Sequence, residues 1–156
     1  MEMRIFFQER DTQFPSTETV SVTLVDSALV AAKSLWKLRR RLGYFETGKV
    51  FLRSFYANRL SFYHEEEGGA VCSGTIAIGF CRHYEVTKDA VVLGSIGTES
   101  THRGRGLATA TIKQAMNLMI SRGYKSFYID TLSTNIAMLR SIDKLGFGRP
   151  QRCIDL

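Results

Sequence analysis

At 156 residues the chain is long enough to bury a hydrophobic core without disulfide or metal staples, and one domain over residues 1–156 is expected. Its 44% hydrophobic and 23% charged residues suit a soluble globular protein, no apolar run approaches the ~20 residues of a membrane span, and Met1-Glu2-Met3-Arg4 does not open a signal peptide. The formal charge of +6 raises nucleic acid as a partner, but much of it (Lys33, Lys37, Arg39, Arg40, Arg41) falls on or near one predicted helix that needs a solvated face, so nucleic acid is not expected.

Met3–Gln8 alternates weakly and reads as an extra edge strand, followed by a polar loop at Asp11–Thr17. Thr19–Val25 alternates Val20, Val22 and Leu24, the pattern of a half-buried strand. Asp26 or Ser27 can cap a helix whose apolar positions Ala28, Ala31, Ala32, Leu35, Leu38 and Leu42 recur at helical spacing, with Gly43 as its stop. A shorter helix is predicted at Gly48–Asn58, burying Phe51, Leu52 and Phe55. Leu60–Glu65, a turn at Glu66-Glu67-Gly68-Gly69, and Ala70–Arg82 read as a hairpin, and Ala90–Thr98 as a third antiparallel strand. Next comes a helix with Ala108, Ile112, Ala115, Met116, Met119 and Ile120 on one face, ending at Arg122-Gly123. A buried strand, Phe127–Leu132, and a closing helix through Met138–Leu145 complete the order. The three cysteines, Cys72, Cys81 and Cys153, are odd in number and lack metal-ligand spacing, so no metal site is expected. They read as buried small residues in a reducing compartment, which indicates the cytoplasm.

The run His102-Arg103-Gly104-Arg105-Gly106-Leu107-Ala108 joins a strand to a helix. A helix N-terminus offers unpaired N–H groups and partial positive charge, to which Arg103 and Arg105 add full charges. Gly104 and Gly106 carry no Cβ to hold a phosphate away from the backbone, so a pyrophosphate-bearing ligand is expected. A dinucleotide-binding turn would need Gly or Ala at position 109, which is Thr, and should lie in the first strand-turn-helix unit. A Walker A loop needs Gly-Lys-Ser/Thr, which the sequence lacks.

The remaining pattern, Arg103-x-x-Gly106-x-Ala108, resembles the Q/R-x-x-G-x-G/A signature of the GNAT superfamily of acyl-CoA N-acyltransferases. Tyr128-Ile129-Asp130-Thr131-Leu132-Ser133-Thr134-Asn135 resembles that family's fifth strand, and Met138 to Lys144-Leu145-Gly146-Phe147 its closing helix, in register and without a gap. The resemblance covers about residues 60–147. It implies an α+β GNAT fold, a central mostly antiparallel sheet flanked by about four helices. Only nine residues follow Phe147, where the family usually has two strands, so the C-terminal end is shortened. Either the sheet is short, or Met3–Gln8 or a strand of a second subunit fills the gap and covers the edge, as a homodimer would.

The resemblance further implies acetyl transfer from acetyl-CoA (coenzyme A) to a primary amine by direct attack, without a covalent enzyme intermediate. Cofactor-binding positions are then Ile96, Gly97, Thr98, Arg103, Gly104, Arg105, Gly106, Leu107, Ala108 and Asn135. A bulge at Gly94–Gly97 would aim N–H groups at the thioester carbonyl. The amine must lose a proton; Asp130 is the first candidate for the base and Glu99 the second, ahead of His83 and His102. Family members commonly carry a Tyr seven residues after the Asn, where this chain has Ile142. Ser141, Tyr128 or water is left to protonate the departing thiolate. The missing Tyr also leaves open a non-catalytic acyl-CoA-binding protein with regulatory or interaction roles. The acceptor, an amine-bearing small molecule or a protein or peptide, would meet a pocket built roughly by Ser27–Asn58, whose aromatics are expected to be mostly core.

Overall fold

A computed structural model describes residues 1–15 and 20–156 of the chain. The elements in order are β1 (Glu2–Glu9), β2 (Val22–Val25), α1 (Ala28–Arg53), β3 (Arg59–Glu66), β4 (Gly69–Ile78), β5 (Val91–Thr98), α2 (Leu107–Ser121), β6 (Ser126–Leu132), α3 (Ile136–Lys144) and β7 (Arg152–Asp155). A short 3-10 turn, Ser100–His102, links β5 to α2. Thr19, the first residue of the predicted second strand, and the end of the predicted loop lie outside the described residues.

The seven strands form one sheet in the order β2-β3-β4-β5-β6-β1-β7. Every neighbouring pair is antiparallel except β5 and β6. The hairpin β3–β4 turns through Glu67 (φ 51°) and Gly68 (φ 76°), the two left-handed positions that a tight hairpin requires. β1 is a correction to the edge strand expected at Met3–Gln8: it pairs with β6 on one side and β7 on the other. Its own sequence supplies the reason, because Met3, Ile5 and Phe6 are all buried and an interior strand can bury both faces. The N-terminal strand thus completes the shortened C-terminal end, and the sheet's outermost strands, β2 and β7, are only four residues each, which limits edge pairing.

The faces of the sheet are covered by different helices. α2 and α3 bury Ile112, Ala115, Met116, Met119, Ile142 and Leu145 against Phe62, Leu93, Phe127 and Ile129. α1 covers the other face, packing Ala31, Leu38 and Val50 against Tyr63 and Ala70. Ser27 caps α1 by accepting from the Val30 N–H, whereas Asp26 pairs with Arg122 at 2.6 Å. Gly43 (φ 73°, ψ 176°) breaks α1 into two helical segments, so the sheet is flanked by four such segments.

The second segment begins directly after Gly43, not at Gly48, and two of its expected core residues are corrected. Leu52 and Phe55 are exposed and Phe51 is half-buried, because the break at Gly43 sets the segment at a new angle to the sheet. Tyr44 and Phe45 are each 76% exposed, so the aromatics here are largely surface and not core. Ala32 is likewise exposed, while Ser34 is buried with its hydroxyl 3.0 Å from Tyr63 Oη. Of the cysteines only Cys72 is buried; Cys153 is exposed on the short edge strand β7. No helix among the described residues is long and apolar enough to cross a membrane.

Candidate active site

The site begins where the one parallel pair ends. β5 and β6 pair only over Val91–Leu93 and Phe127–Ile129. Beyond Leu93 the β5 chain bulges: Thr75 faces Gly94 and Ser73 faces Gly97, so three steps on β5 match two on β4. Ser95 takes the left-handed conformation (φ 51°) that absorbs the extra residue, and Thr75 Oγ1 donates to the Gly94 carbonyl at 3.0 Å. The side of β5 that faces β6 is left without a strand partner over Gly94–Thr98. A cleft of about 260 Å³ opens there, lined by Gly94, Ser95, Ile96, Asp130 and Asn135. Through Ile96, Asn135 and Met138 it joins a groove of about 500 Å³ that runs to the turn before α2.

That turn has the features of an anion site. Gly104 (φ 78°) and Gly106 (φ 74°) are left-handed, a conformation an L side chain adopts only with strain. A Cβ at either would meet nothing within 4 Å, so the backbone is open to an approaching ligand. α1 and α3 are capped by Ser27 and Asn135, but α2 follows Gly106 and has no side-chain cap. Its first backbone bond runs from the Ala110 N–H to the Gly106 carbonyl. Among the described residues the N–H groups of Leu107, Ala108 and Thr109 therefore have no acceptor. A pyrophosphate fits this cradle by charge, by shape and by the unused donors.

The two arginines of the turn differ. Arg103 is exposed, and its Nε donates to the Thr98 carbonyl at 3.2 Å, which fixes the side chain at the mouth of the groove. Arg105 instead donates Nη1 and Nη2 to the two carboxylate oxygens of Glu66, at 2.9 and 3.0 Å. His64 Nε2 and His102 Nε2 lie 3.5 and 3.6 Å from the same carboxylate. The Arg105 hydrogen bonds hold Glu66 below the usual carboxylate range. Arg140 and Lys144, one helical turn apart on α3, line the opposite wall of the groove. The sequence reading passed over both; their i,i+4 spacing on the face away from Ile142 and Leu145 was the available signal.

Asp130 lies on the α1 face of β6, level with Ile5 of β1, and its Oδ2 accepts a hydrogen bond of 2.9 Å from the Tyr84 hydroxyl. Tyr84 is buried against Val92 and Tyr128. Burial first, and then the Asp130 carboxylate, raise its phenol far above the ordinary tyrosine range, so the hydroxyl stays a neutral donor. Glu99 sits at the end of β5 with Oε2 3.9 Å from His102 Nδ1; it lines neither the cleft nor the groove. His83 is exposed outside both. Asn135 both borders the groove and caps α3, accepting from the Met138 N–H at 3.2 Å. Ile142 is 1% exposed in the core with Leu145, while the neighbouring Ser141 lines the groove.

The model of the acetyltransferase (GNAT) family matches residues 24–147. Among solved structures, AAC(6')-Iy in complex with the bisubstrate analogue CoA-S-monomethyl-acetylneamine superposes with a TM-score of 0.63 at 17% identity, over 89% of this chain and 97% of that one. Aminoglycoside 6'-N-acetyltransferase AAC(6')-Ih from Acinetobacter baumannii gives 0.61 at 15% identity, over 88% and 96%. A putative GNAT acetyltransferase from Novosphingobium aromaticivorans gives 0.60 at 15% identity; this chain is covered over 98% but spans only 62% of that protein. No curated protein matches the sequence significantly. The matched span takes in the bulged strand, the uncapped helix, β6 and α3, and the chain belongs to the GNAT acetyltransferase family, whose acyl donor is acetyl-CoA.

Proposed function

We propose that the chain is an N-acetyltransferase that transfers the acetyl group of acetyl-CoA to the primary amine of a small molecule by direct attack. The observation that carries this is the uncapped N-terminus of α2, opening through one continuous groove onto the unpaired edge of β5. In this reading the N–H groups of Leu107, Ala108 and Thr109 bind the pyrophosphate, with Arg103, Arg140 and Lys144 supplying charge. The free edge of Gly94–Thr98 holds the pantetheine arm as an added strand would, and its N–H groups face the thioester oxygen. Acetyl-CoA supplies the acyl carbon in activated form.

Asp130, at the opposite end of the cleft, accepts the proton of the attacking ammonium directly or through water. Tyr84 fixes the carboxylate, leaving its other oxygen for the amine. As the C–N bond forms, the C–S bond breaks, the pair goes to sulfur, and the second proton on nitrogen passes to the thiolate or to water. A thiol of pKa about 8.5 departs without a dedicated acid, so Ile142 does not obstruct the reaction. The neighbouring structures named for aminoglycoside acetyltransferases support a small amine-bearing acceptor. The three unpaired cysteines fit the reducing cytoplasm.

The test is release of free CoA thiol from acetyl-CoA across a panel of primary amines, with the acetylated product identified by mass. Amine-dependent release supports the reading. Tight CoA binding without release on any amine between pH 6 and 10 would replace it with a non-catalytic acyl-CoA-binding protein.

A further inference from the structure

Arg41, at the bulge of β5, is a half-buried cation with no carboxylate partner among the described residues. Arg41 lies on α1 two residues before the break at Gly43, and its Nε donates to Ser73 Oγ at 3.0 Å. Its guanidinium lies over the backbone of Gly97: a Cβ built at Gly97 would collide with Nη2. Ser73 and Gly97 are register partners on β4 and β5, so the guanidinium spans both strands where β5 bulges. Its face of the sheet follows from the pairing. Ser73 pairs with Tyr63, which packs under α1, whereas Gly74 pairs with Phe62, which packs under α2. Arg41 is therefore on the face opposite α2, the same face as Asp130 and Tyr84, with Arg103 of the phosphate turn near enough to act on it as a like charge.

Burial of this guanidinium is the main influence on it and disfavours its charge. Among the described residues no carboxylate comes within ion-pair distance, although Lys37, Arg105 and Arg122 each have one at 2.6–2.9 Å. Glu99 acts on it only from farther away. A planar, half-buried guanidinium with one of its five donors used is suited to a carboxylate held in bidentate fashion. Beside it, Ser73 and Ser95 border a second small cavity of about 70 Å³ under α1, whose charged lining residues are Glu46 and Arg53.

We infer that Arg41 binds a carboxylate of the acceptor, and that the substrates are primary amines bearing a carboxylate, the amino-acid class, rather than polyamines. This rests on the acetyltransferase reading and adds the acceptor's chemistry to it. Arg41 over Gly97 of β5 and Asp130 on β6 place a cation and an anion on one face of the sheet, to either side of the unpaired β5 edge, where they can meet the opposite charges of one acceptor. A polycation would meet Arg41 as a like charge in a partly desolvated site.

The experiment compares amino acids with their own carboxamides, which keep the amine and lose only the negative charge, and with linear polyamines. Acceptor turnover is measured with acetyl-CoA, and acceptor affinity is measured calorimetrically on the CoA-saturated protein. The wild type should favour acid over amide at least tenfold. Arg41→Gln should bring that ratio close to one, chiefly through KM, and Arg41→Lys should restore part of it. Equal use of acid and amide, preference for polyamines, or an unchanged ratio in Arg41→Gln would each overturn the inference while leaving acetyl transfer intact. A charge preference in affinity that depends on Arg41, with no turnover on any amine, would uphold carboxylate recognition by Arg41 and remove the catalytic reading. Should Arg41→Gln not fold, the wild-type acid-to-amide ratio decides alone.

Discussion

The hydroxyl of Tyr84 and the carboxylate of Asp130 meet at 2.9 Å, joining the segment between β4 and β5 to the middle of β6. Asp130, which lines the cleft, is half-buried and held by a donor that stays neutral. Asp130→Asn keeps the size and most of the hydrogen bonding but accepts no proton. Turnover should fall roughly 10²-fold or more at neutral pH, and the deficit should shrink at high pH, where the amine deprotonates unaided. Rates measured from pH 6 to 10 check this; an equal loss at every pH would indicate that Asp130 is structural.

Tyr84→Phe removes the donor and leaves the acid in place. Loss of a hydrogen bond to a charged group costs about 1.5–3 kcal/mol, so the midpoint of thermal or urea unfolding should fall. Turnover should fall less than in Asp130→Asn, because the proton acceptor remains.

At the phosphate turn, Gly106→Val puts a β-branched side chain at φ 74°, where such residues are strained. The branched side chain also fills the open space above the uncapped amides of α2. CoA affinity by calorimetry should drop at least tenfold, about 1.4 kcal/mol, with cooperative unfolding retained. Unchanged affinity would remove the phosphate assignment.

Arg103 and Arg105 should separate in the same assay. Arg105 is already paired with both oxygens of Glu66, so Arg105→Ala should weaken CoA binding less than Arg103→Ala does. Because Arg105 holds Glu66 below the usual carboxylate range, the pair is fully formed above the ordinary glutamate pKa of about 4.3 and is lost only as pH falls through the lower folded value. A larger loss of affinity in Arg105→Ala would mean that the arginine exchanges Glu66 for phosphate.

Ile142 is 1% exposed within the main core. Ile142→Tyr should overpack that core and cost about 1–3 kcal/mol in denaturant unfolding. Turnover should not rise, because the position faces core and Ser141 faces the groove. A rate increase would show that the ring swings out to the sulfur.

The sequence was most legible where one pattern had one physical reading. The turn that makes β3 and β4 a hairpin, the 3.6-residue period of α2, and the glycines at 104 and 106 that leave the backbone open are each legible from short-range chemistry that the fold preserves. Position in the sheet was not legible in that way. Met3–Gln8 looked like an edge because its alternation is weak, and its partners, β6 and β7, lie more than 100 residues away. Periodicity places Leu52 and Phe55 in the core because it reports an apolar face and not whether anything packs on it. The pairing of Arg105 with Glu66 and the placing of Arg41 over Gly97 both depend on contacts across the sheet that no local pattern encodes.

A crystal structure of the protein with CoA tests the central claim most directly. The account predicts the pyrophosphate within hydrogen-bonding distance of the Leu107, Ala108 and Thr109 N–H groups, and the pantetheine paired along Gly94–Thr98 with its sulfur facing Asp130. A pyrophosphate bound away from the α2 N-terminus, or an edge of β5 left bare beside bound CoA, would contradict it.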